Sequence, residues 1–415
     1  MMPIRTPPDR LAADYAGRRS NHEQEREIAV LPDLEPLDLG LGHSPFGCPS
    51  EILKMVQSPQ FASLYSDTIQ VYPEDRWSSR PADQVRDRFN LAPEVHVSFA
   101  SGGSYRILHS ILTTLTDWDP KKKAGVIAVA PHFPNIATLT DMANPNNHNG
   151  PAYQSIAPPI GTPFHERLAL LRQNRLNDDR PKIVFVDNPC NPTGEVASLE
   201  KLELLLEATN RDDTTDIAII DEAYGDALPC NESAAQLCQR YPNLVVVRGL
   251  SKGLGLPDIR LGYAIISPGT LTEIWRNSMD LVFDVGGIPQ LLASIALRPE
   301  VADPFLAEIR EKTIAIKMHL IHGLSSLGID ILPTDKRVPI MLVRAPNCLN
   351  FSHFLTRHGI AAESGADFAD VHPEMNNSMA RLRIPGTIEE VDEAIRRIGA
   401  LLREAALDPE ACFAK

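Results

Sequence analysis

A lysine and an arginine follow an apolar run in the segment RGLSKGLGLPDIRLGY, residues 248–263. Lys252 lies in a Ser-Lys-Gly-Leu-Gly turn shortly after the strand-like run NLVVV, and Arg260 follows further along the same segment. An ammonium group at the mouth of a buried sheet loses hydration free energy, so its placement there needs a reason. Lys252 is either an ordinary solvated loop lysine or an amine kept reactive for carbonyl chemistry.

Small, polar or aromatic residues follow four more strand-like runs. After HVSFAS come Gly103 and Ser104, after VIAVA comes APHFPN with Phe133, after IVFVD comes NPCNPTG, and after IAII come Asp221 and Tyr224. In an open parallel sheet, ligands bind at the carboxyl ends of the strands, so these residues are expected to share one site. NPCNPTG is the most specific string, because two Asn-Pro steps and a glycine force an irregular turn.

The elements that must position these residues alternate between apolar strands and amphipathic helices such as SLEKLELLLEATN. Continuous Val and Ile runs separated by helices predict a parallel sheet buried on both faces, and therefore an α/β fold. After about residue 299 a long charged helix precedes the strands VPIMLVRA and MARLRI and the helix IEEVDEAIRRIGALLREA. That change indicates a second, smaller α+β domain.

The composition of the 415-residue chain excludes several classes of protein. The net charge is −14 without basic blocks, which argues against nucleic-acid binding, and the N-terminal arm shows no helix-turn-helix pattern. No apolar run is long enough to span a membrane, and the polar N-terminus lacks a signal-peptide core, so we expect a cytoplasmic protein. Six scattered cysteines without CxxC pairs are expected to be reduced thiols, with no metal site.

The motifs, taken in order, resemble those of fold type I pyridoxal-phosphate enzymes, the aspartate aminotransferase superfamily, and most nearly its class I/II branch with the histidinol-phosphate aminotransferases. The resemblance extends from about Leu37 to the C-terminal helix. A weaker likeness, around FPNIA, is to arginine-oxidising enzymes of natural-product pathways. The strings that carry the main resemblance are LDLGLGHSPFG, VYPED, FASGGSYRIL, APHFPN, NPCNPTG, DEAY, SKGLGLPDIRLGY and MARLRIPGTIEEV.

This resemblance implies a large domain with a mostly parallel seven-stranded sheet between helices, plus a smaller α+β domain. We accordingly predict a flexible arm at residues 1–30, and a segment at 31–60 that packs with the small domain. The large domain that binds pyridoxal phosphate is predicted at 61–299 and the small C-terminal domain at 300–415.

The resemblance also implies the cofactor, pyridoxal 5′-phosphate, and the residues around its ring. Lys252 would bind the cofactor aldehyde as a Schiff base and then move the substrate α-proton. Asp221 would face the pyridine nitrogen and keep it protonated, although an aspartate after a strand can also be a helix N-cap. Asn191 and Tyr224 would hydrogen-bond the 3′-oxygen of the ring, and Phe133 would stack on its face.

The cofactor phosphate needs several donors. Gly103, Ser104 and Tyr105 open a helix, whose first backbone amides form an anion site. Ser251 and Arg260 would complete this site, the arginine as a forked partner for phosphate oxygens.

The resemblance also implies which residues contact the substrate and which residue belongs to the site of a second subunit. Tyr72 in VYPED resembles a tyrosine that reaches the phosphate of a neighbouring subunit, which implies a homodimer with shared active sites. Arg381 and Arg383 are both candidates for the substrate carboxylate, and the spacing in the family selects Arg381. Gly42 and His43 would lie beside the substrate.

The particular reaction is open because the substrate-facing segments depart from the family pattern. Gly249 replaces a common Ser or Thr, Phe133 has no hydroxyl, and the segment after DMANP is long and rich in proline. We expect aminotransfer from an amino acid to a 2-oxo acid. The alternative is a biosynthetic β- or γ-elimination, replacement, cyclisation or oxidation, on a substrate such as arginine or S-adenosylmethionine.

Overall fold

The structure is a computed structural model, and its described residues are 36–40, 42–68, 70, 75–117, 125–143, 153–176, 182–210, 216–280, 285–346, 348 and 350–407. The arm predicted at residues 1–30 lies outside this part of the chain, as does Tyr72.

Seven strands form the central sheet in the order β2-β8-β7-β6-β5-β3-β4. Strands β3, β4, β5, β6 and β7 run parallel to one another, whereas β8 runs antiparallel to both β2 and β7. The predicted α/β fold with a mostly parallel seven-stranded sheet is therefore confirmed. The strands are β2 (His96–Ser101), β3 (Gly125–Val129), β4 (Tyr153–Ile156), β5 (Lys182–Asp187), β6 (Ile217–Asp221), β7 (Leu244–Gly249) and β8 (Leu261–Ile266).

The apolar runs of the sequence indicate six of these strands, and β4 is the seventh. This strand has only four residues, lies at the edge of the sheet and has no fully buried residue. It belongs to the long proline-rich segment after DMANP. Without a continuous apolar run it has no strand signal of its own, and its pairing with β3 decides its conformation.

The reversed direction of β8 brings its first residues to the edge where the parallel strands end. Arg260 directly precedes β8 and so reaches the carboxyl edge of the sheet. Gly262 allows the next helix to approach, since a Cβ there would lie 2.5 Å from the carbonyl carbon of Gly103 and 2.6 Å from the nitrogen of Ser104. The close approach accounts for a glycine inside a buried strand.

Helices cover both faces of the central sheet, which explains its continuous apolar strands. In β5, Ile183 and Phe185 belong to one buried cluster, and Val184 and Val186 belong to another on the opposite face. Each such side chain contributes about 1.5–3 kcal/mol by leaving water. The helices before residue 299 are α1 (Ser50–Val56), α2 (Pro59–Thr68), α3 (Asp75–Phe89), α4 (Gly103–Asp117), α5 (Asn135–Met142), α6 (Phe164–Leu176), α7 (Leu199–Thr209), α8 (Thr270–Asp280) and α9 (Gly287–Ala296).

The C-terminal part has its own antiparallel sheet, in the order β12-β13-β10-β9. Its elements are α10 (Pro299–Ser326), β9 (Asp330–Ile331), β10 (Ile340–Arg344), α11 (Phe351–Thr356), β11 (Ile360–Ala361), β12 (Glu363–Ser364), β13 (Met379–Arg383) and α12 (Ile388–Leu407). Strand β1 (Leu37–Asp38) crosses to this part and pairs in parallel with β11. The α+β character expected here is present, while the domain boundaries stay predictions.

Two findings concern the chain as a whole. Within the ranges given above, no helix has both the length and the apolar character needed to cross a membrane. The five cysteines in those ranges are free thiols, and Cys412 lies outside them. The cytoplasmic location expected from the sequence stays a prediction.

Candidate active site

A cavity of about 520 Å³ opens at the carboxyl edge of the central sheet, a volume typical of sites for small organic molecules. It brings together most of the residues that the sequence analysis selected. These are Gly42, Gly103, Ser104, Tyr105, Phe133, Asn191, Asp221, Tyr224, Ser251, Lys252, Arg260 and Arg381. His43 and Arg383 do not line the cavity, and Tyr72 lies outside the described residues.

The amine of Lys252 lies beside the Tyr224 phenol. Its Nζ is 5.5 Å from the centroid of the Tyr224 ring. The backbone of Gly42 covers both groups, because a Cβ at this position would collide with the Tyr224 hydroxyl and lie 3.1 Å from Lys252 Nζ. Only a glycine fits here without displacing the amine or the phenol, so Gly42 shapes this wall of the cavity.

Asp221 ends β6 as a buried carboxylate that lines the cavity. Burial raises its pKa to about 7, the nearby Glu222 adds to the rise, and Lys252 opposes it. Its Oδ1 accepts a hydrogen bond of 2.9 Å from the backbone nitrogen of Ala223. The helix N-cap alternative is wrong, since Tyr224 is the N-cap of the short 3-10 helix that follows. A cation in the cavity would lower the pKa of this buried carboxyl and be stabilised by it.

Asp187 is a second buried carboxylate, which the sequence analysis did not select. It ends β5 directly beside Asp221 in the sheet register and also lines the cavity. Its Oδ2 accepts hydrogen bonds from the backbone nitrogens of Phe133, at 3.0 Å, and Asn191, at 2.8 Å. Burial raises its pKa to about 7. Its position immediately before NPCNPTG, at the end of a strand, was a signal that could have found it.

The loop after β3 is held in place from two further sides. Burial lowers the pKa of His132 to about 4, so its ring is neutral at pH 7. Its Nδ1 lies 2.9 Å from the Phe133 carbonyl oxygen, and its Nε2 lies 2.5 Å from the Tyr153 hydroxyl. A neutral ring meets both partners by donating from Nδ1 and accepting at Nε2. The edge strand β4, which carries Tyr153, thus helps to position Phe133.

The NPCNPTG turn is closed by hydrogen bonds to its own ends and to the C-terminal part. Asn188 Oδ1 accepts from the Ala197 nitrogen at 2.8 Å, and the Gly194 nitrogen donates to the Cys190 carbonyl at 2.7 Å. Gly194 has a φ of +73°, and a Cβ there would collide with the Ile340 carbonyl oxygen. The turn therefore presents Asn191 in one orientation.

Backbone amides and a guanidinium meet at the start of α4. The backbone nitrogens of Gly102 and Gly103 donate to the Arg260 carbonyl at 2.6 Å and 3.0 Å. The Arg260 guanidinium is held by the Pro257 carbonyl at 3.0 Å and lies over Gly103, where a Cβ would be 3.4 Å from Nη2. Because the Gly103 nitrogen already donates to the Arg260 carbonyl, the anion site expected at the helix N-terminus depends on the backbone nitrogens of Ser104 and Tyr105 together with the Arg260 guanidinium.

The two candidate arginines of β13 have different surroundings. Arg381 donates to Asn191 Oδ1 at 3.2 Å and to the Gly40 carbonyl at 2.5 Å, and it forms an ion pair with Glu363. Arg383 donates to the backbone carbonyls of Asp38 and Ile384 and forms an ion pair of 3.2 Å with the Asp38 carboxylate. Only Arg381 of the two faces the cavity.

His43 lies next to the Arg383–Asp38 pair. Its Nε2 is 3.8 Å from Asp38 Oδ2, and burial together with the charge of Arg383 lowers its pKa. The ring does not line the cavity, although the neighbouring Gly42 does. No His, Cys, Asp or Glu cluster suited to a metal ion occurs among the residues that the structure describes.

A sequence profile described as "Aminotransferase class I and II" matches residues 36–398, which is most of the chain. The chain belongs to this family. Among its relatives is the histidinol-phosphate aminotransferase of Mycobacterium sp. (strain KMS), 36% identical over 329 residues that cover 74% of this chain and 81% of the relative. The histidinol-phosphate aminotransferase of Thermoanaerobacter sp. (strain X514) is 26% identical over 319 residues, covering 74% and 78%.

Solved structures share the fold of this family. The aspartate aminotransferase of Thermus thermophilus superposes with a TM-score of 0.71 at 20% identity, covering 94% of this chain and 96% of its own. The histidinol-phosphate aminotransferase of Clostridium acetobutylicum gives a TM-score of 0.69 at 16% identity, covering 89% and 99%. The chain is thus a fold type I enzyme of the pyridoxal-phosphate-dependent aminotransferases.

The donor set of the cavity fits pyridoxal phosphate. The helix terminus and Arg260 suit a phosphate dianion, and the Lys252 amine suits an aldehyde. The buried Asp221 carboxyl, whose pKa is raised to about 7, suits a protonated ring nitrogen. These three features lie within one cavity, and Phe133 supplies an aromatic surface on its wall.

Proposed function

We propose that this protein transfers the amino group of an α-amino acid to a 2-oxo acid, with pyridoxal phosphate held by the cavity residues. The observation that carries the proposal is the meeting of Lys252, Asp221 and Arg381 in one cavity beside the anion site at Arg260. An amine, a buried carboxylate, a carboxylate receptor and a phosphate receptor are the four groups that this chemistry needs.

Lys252 would hold the cofactor and move the α-proton of the substrate, because it supplies a primary amine to the cavity. When bound, pyridoxal phosphate supplies an aldehyde and a ring that takes up negative charge from that carbon. Asp221 holds a proton on the ring nitrogen, which strengthens this withdrawal of charge. Tyr224 and Asn191 would donate hydrogen bonds to the ring oxygen, and Phe133 would pack against the ring.

Arg381 binds the substrate α-carboxylate as a forked donor. Its hydrogen bond to Asn191 Oδ1 at 3.2 Å supports this role, because it orients the guanidinium towards the residues around the ring. Arg383 has a different part: its contacts with Asp38 hold the segment that carries Gly42 against β13. Gly42 then shapes the wall beside the substrate, whereas His43, which does not line the cavity, has no contact there that supports the role expected from the sequence.

We further propose a homodimer in which Tyr72 of the partner subunit reaches the phosphate. The resemblance of VYPED to the family motif supports this assignment. Helices α1 and α2 expose Leu53, Val56 and Tyr65, with 53%, 43% and 46% of their surfaces accessible. Large apolar side chains exposed close together in sequence are typical of a surface that a partner covers.

A single turnover without an acceptor tests the reaction. The purified holoenzyme is mixed with each of a panel of amino acids, and the cofactor product is identified by mass spectrometry. Aminotransfer leaves stoichiometric pyridoxamine phosphate and one 2-oxo acid for each site. Repeated turnovers that return the aldehyde, or release of a leaving group from the substrate side chain, would reject aminotransfer and favour elimination, replacement, cyclisation or oxidation.

A further inference from the structure

A carboxylate lies in the cavity next to the arginine assigned to the substrate. Glu363 of β12 is the register partner of Arg381 in β13, lines the cavity and forms an ion pair with the Arg381 guanidinium. One nitrogen of the guanidinium is left without an acceptor in the part of the chain that the structure describes. Glu363 Oε2 contacts Arg381 Nη2, whereas the buried Arg381 Nε has no hydrogen-bond acceptor within the described residues.

Another carboxyl group lies close to Glu363. Asp367 lies close enough that the Glu363 charge, added to burial, raises the pKa of its carboxyl to about 6. Asp38 also lines the cavity, where its carboxylate contacts Arg383. Arg381 is therefore the cation that balances Glu363 while no substrate is present.

Binding of a substrate α-carboxylate to Arg381 changes this balance. Two carboxylates then share one guanidinium, and like charges at such short distances repel. A neutral substrate side chain leaves the repulsion in place, and an anionic one adds to it. A cationic side chain pairs with Glu363 and thereby removes the repulsion between the two carboxylates. The negative charge of Glu363 should therefore favour substrates with a cationic side chain.

We propose that Glu363 selects amino acids whose side chain ends in a cation, either a guanidinium or an ammonium group. This inference rests on the function proposed above, with Arg381 as the carboxylate receptor. The proposed preference differs from the substrate named for the histidinol-phosphate aminotransferases among the relatives of this chain. A phosphate ester is an anion, and a carboxylate in the cavity would repel it. If Glu363 only oriented Arg381, its substitution would change the affinity for substrates with charged and with neutral side chains to the same extent.

L-Arginine and L-citrulline form the matched pair of probes, since they have the same length and differ by a guanidinium against a neutral urea group. Their dissociation constants are measured on the holoenzyme from the change in cofactor absorbance when each is added. We expect the wild type to bind arginine at least about tenfold more tightly than citrulline, because hydrogen bonds between charged groups are the stronger ones. In Glu363→Gln the ratio should fall to within about threefold.

Glu389→Gln is the control, because Glu389 is an exposed residue in the first turn of α12 and does not line the cavity. It should keep the wild-type ratio. A wild-type ratio near one would overturn the proposal even if Glu363→Gln does not fold, and so would a ratio that Glu363→Gln leaves unchanged. The binding readout precedes the chemistry. A normal arginine preference without formation of pyridoxamine phosphate would therefore support the charge filter and reject only the aminotransfer.

Discussion

Single side chains decide the chemistry of the cavity through their distance and burial. Lys252, Asp221 and Asn191 were predicted from motifs, and all three line the same cavity. Asp187 was not predicted, yet its carboxylate accepts hydrogen bonds from the backbone nitrogens of both Phe133 and Asn191. Its contribution comes from the loops that it fixes.

Lys252 is expected to be the lysine that carries the cofactor. Borohydride reduction of the holoenzyme, followed by digestion and peptide mass mapping, should place one pyridoxyl group on Lys252, since reduction fixes the cofactor to the amine that holds it. Lys252→Ala should lose the adduct. A pyridoxyl group on another lysine of the wild type would contradict the assignment.

Asp187→Ala should weaken cofactor binding by about tenfold or more, because two backbone donors lose a charged acceptor and release Phe133 and Asn191. Asp187→Asn should retain most of the affinity, since its Oδ1 can take the place of Oδ2. Equilibrium dialysis with pyridoxal phosphate checks both variants. Equal losses in the two would mean that the charge, rather than the acceptor geometry, is what matters.

Asp187→Asn should also change how the free energy of unfolding depends on pH. Burial raises the Asp187 pKa from 3.8 to about 7, so the folded state binds the proton more tightly than the unfolded chain does. That contribution to the free energy of unfolding is full below pH 3.8 and is lost as pH rises through about 7. Urea unfolding of the cofactor-free wild type should therefore show a greater loss of stability than Asp187→Asn between pH 4 and pH 8. Parallel pH profiles would contradict the raised pKa.

Strand β13 and the segment that contains Gly42 together form one wall of the cavity. The Arg383 nitrogen donates to the Leu39 carbonyl at 2.7 Å, and Arg381 donates to the Gly40 carbonyl. The segment thus crosses from the C-terminal part to the cavity and brings the Gly42 backbone over Lys252 and Tyr224. Strand β13 and this segment work as one unit.

The two arginines of β13 form a matched pair for substitution. Arg381→Ala should raise KM for an amino-acid substrate by about tenfold or more, because a forked contact to a carboxylate is lost. Arg383→Ala should raise it less, since that side chain binds Asp38. Steady-state kinetics at saturating 2-oxo acid measures both, with thermal melting to confirm folding. The reverse ranking would move the carboxylate receptor to Arg383.

Gly42→Ala should lower kcat/KM by about tenfold to a hundredfold, because overpacking against Tyr224 and Lys252 displaces the reacting groups. Gly286→Ala is the control. Its added Cβ would meet Pro289 Cδ at 3.6 Å, an ordinary contact. Activity of Gly42→Ala equal to that of the control would show that the wall is free to move.

The whole molecule is expected to be active as a dimer, because Tyr72 is assigned to the phosphate of the other subunit. Lys252→Ala and Tyr72→Ala damage the same site from different chains. Mixed dimers of the two variants contain one intact site, so random pairing should restore about a quarter of wild-type activity from two weakly active proteins. Sedimentation velocity confirms the dimer. No recovery in verified mixed dimers would place Tyr72 outside the partner's site.

The sequence by itself determined the α/β fold, the central sheet and the residues at its strand ends. Parallel strands need long apolar runs and have their carboxyl ends at one edge, so the order of motifs already predicts which side chains meet. This reasoning selected Lys252, Asp221, Phe133 and the NPCNPTG turn without coordinates, and the resemblance to the family then singled out Asn191 within that turn. It also indicated six of the seven strands.

Only the tertiary structure decided which neighbours those residues meet. Arg381 and Arg383 share one face of β13 because side chains repeat every two residues. The family spacing favoured Arg381, but only the structure shows that Arg381 packs against Asn191 and Gly40 while Arg383 pairs with Asp38. The reversal of β8, the pairing of β4 and the place of Glu363 beside Arg381 are long-range contacts that no local pattern records. Local periodicity determines which face a side chain takes, whereas its partner depends on chain segments far away in sequence.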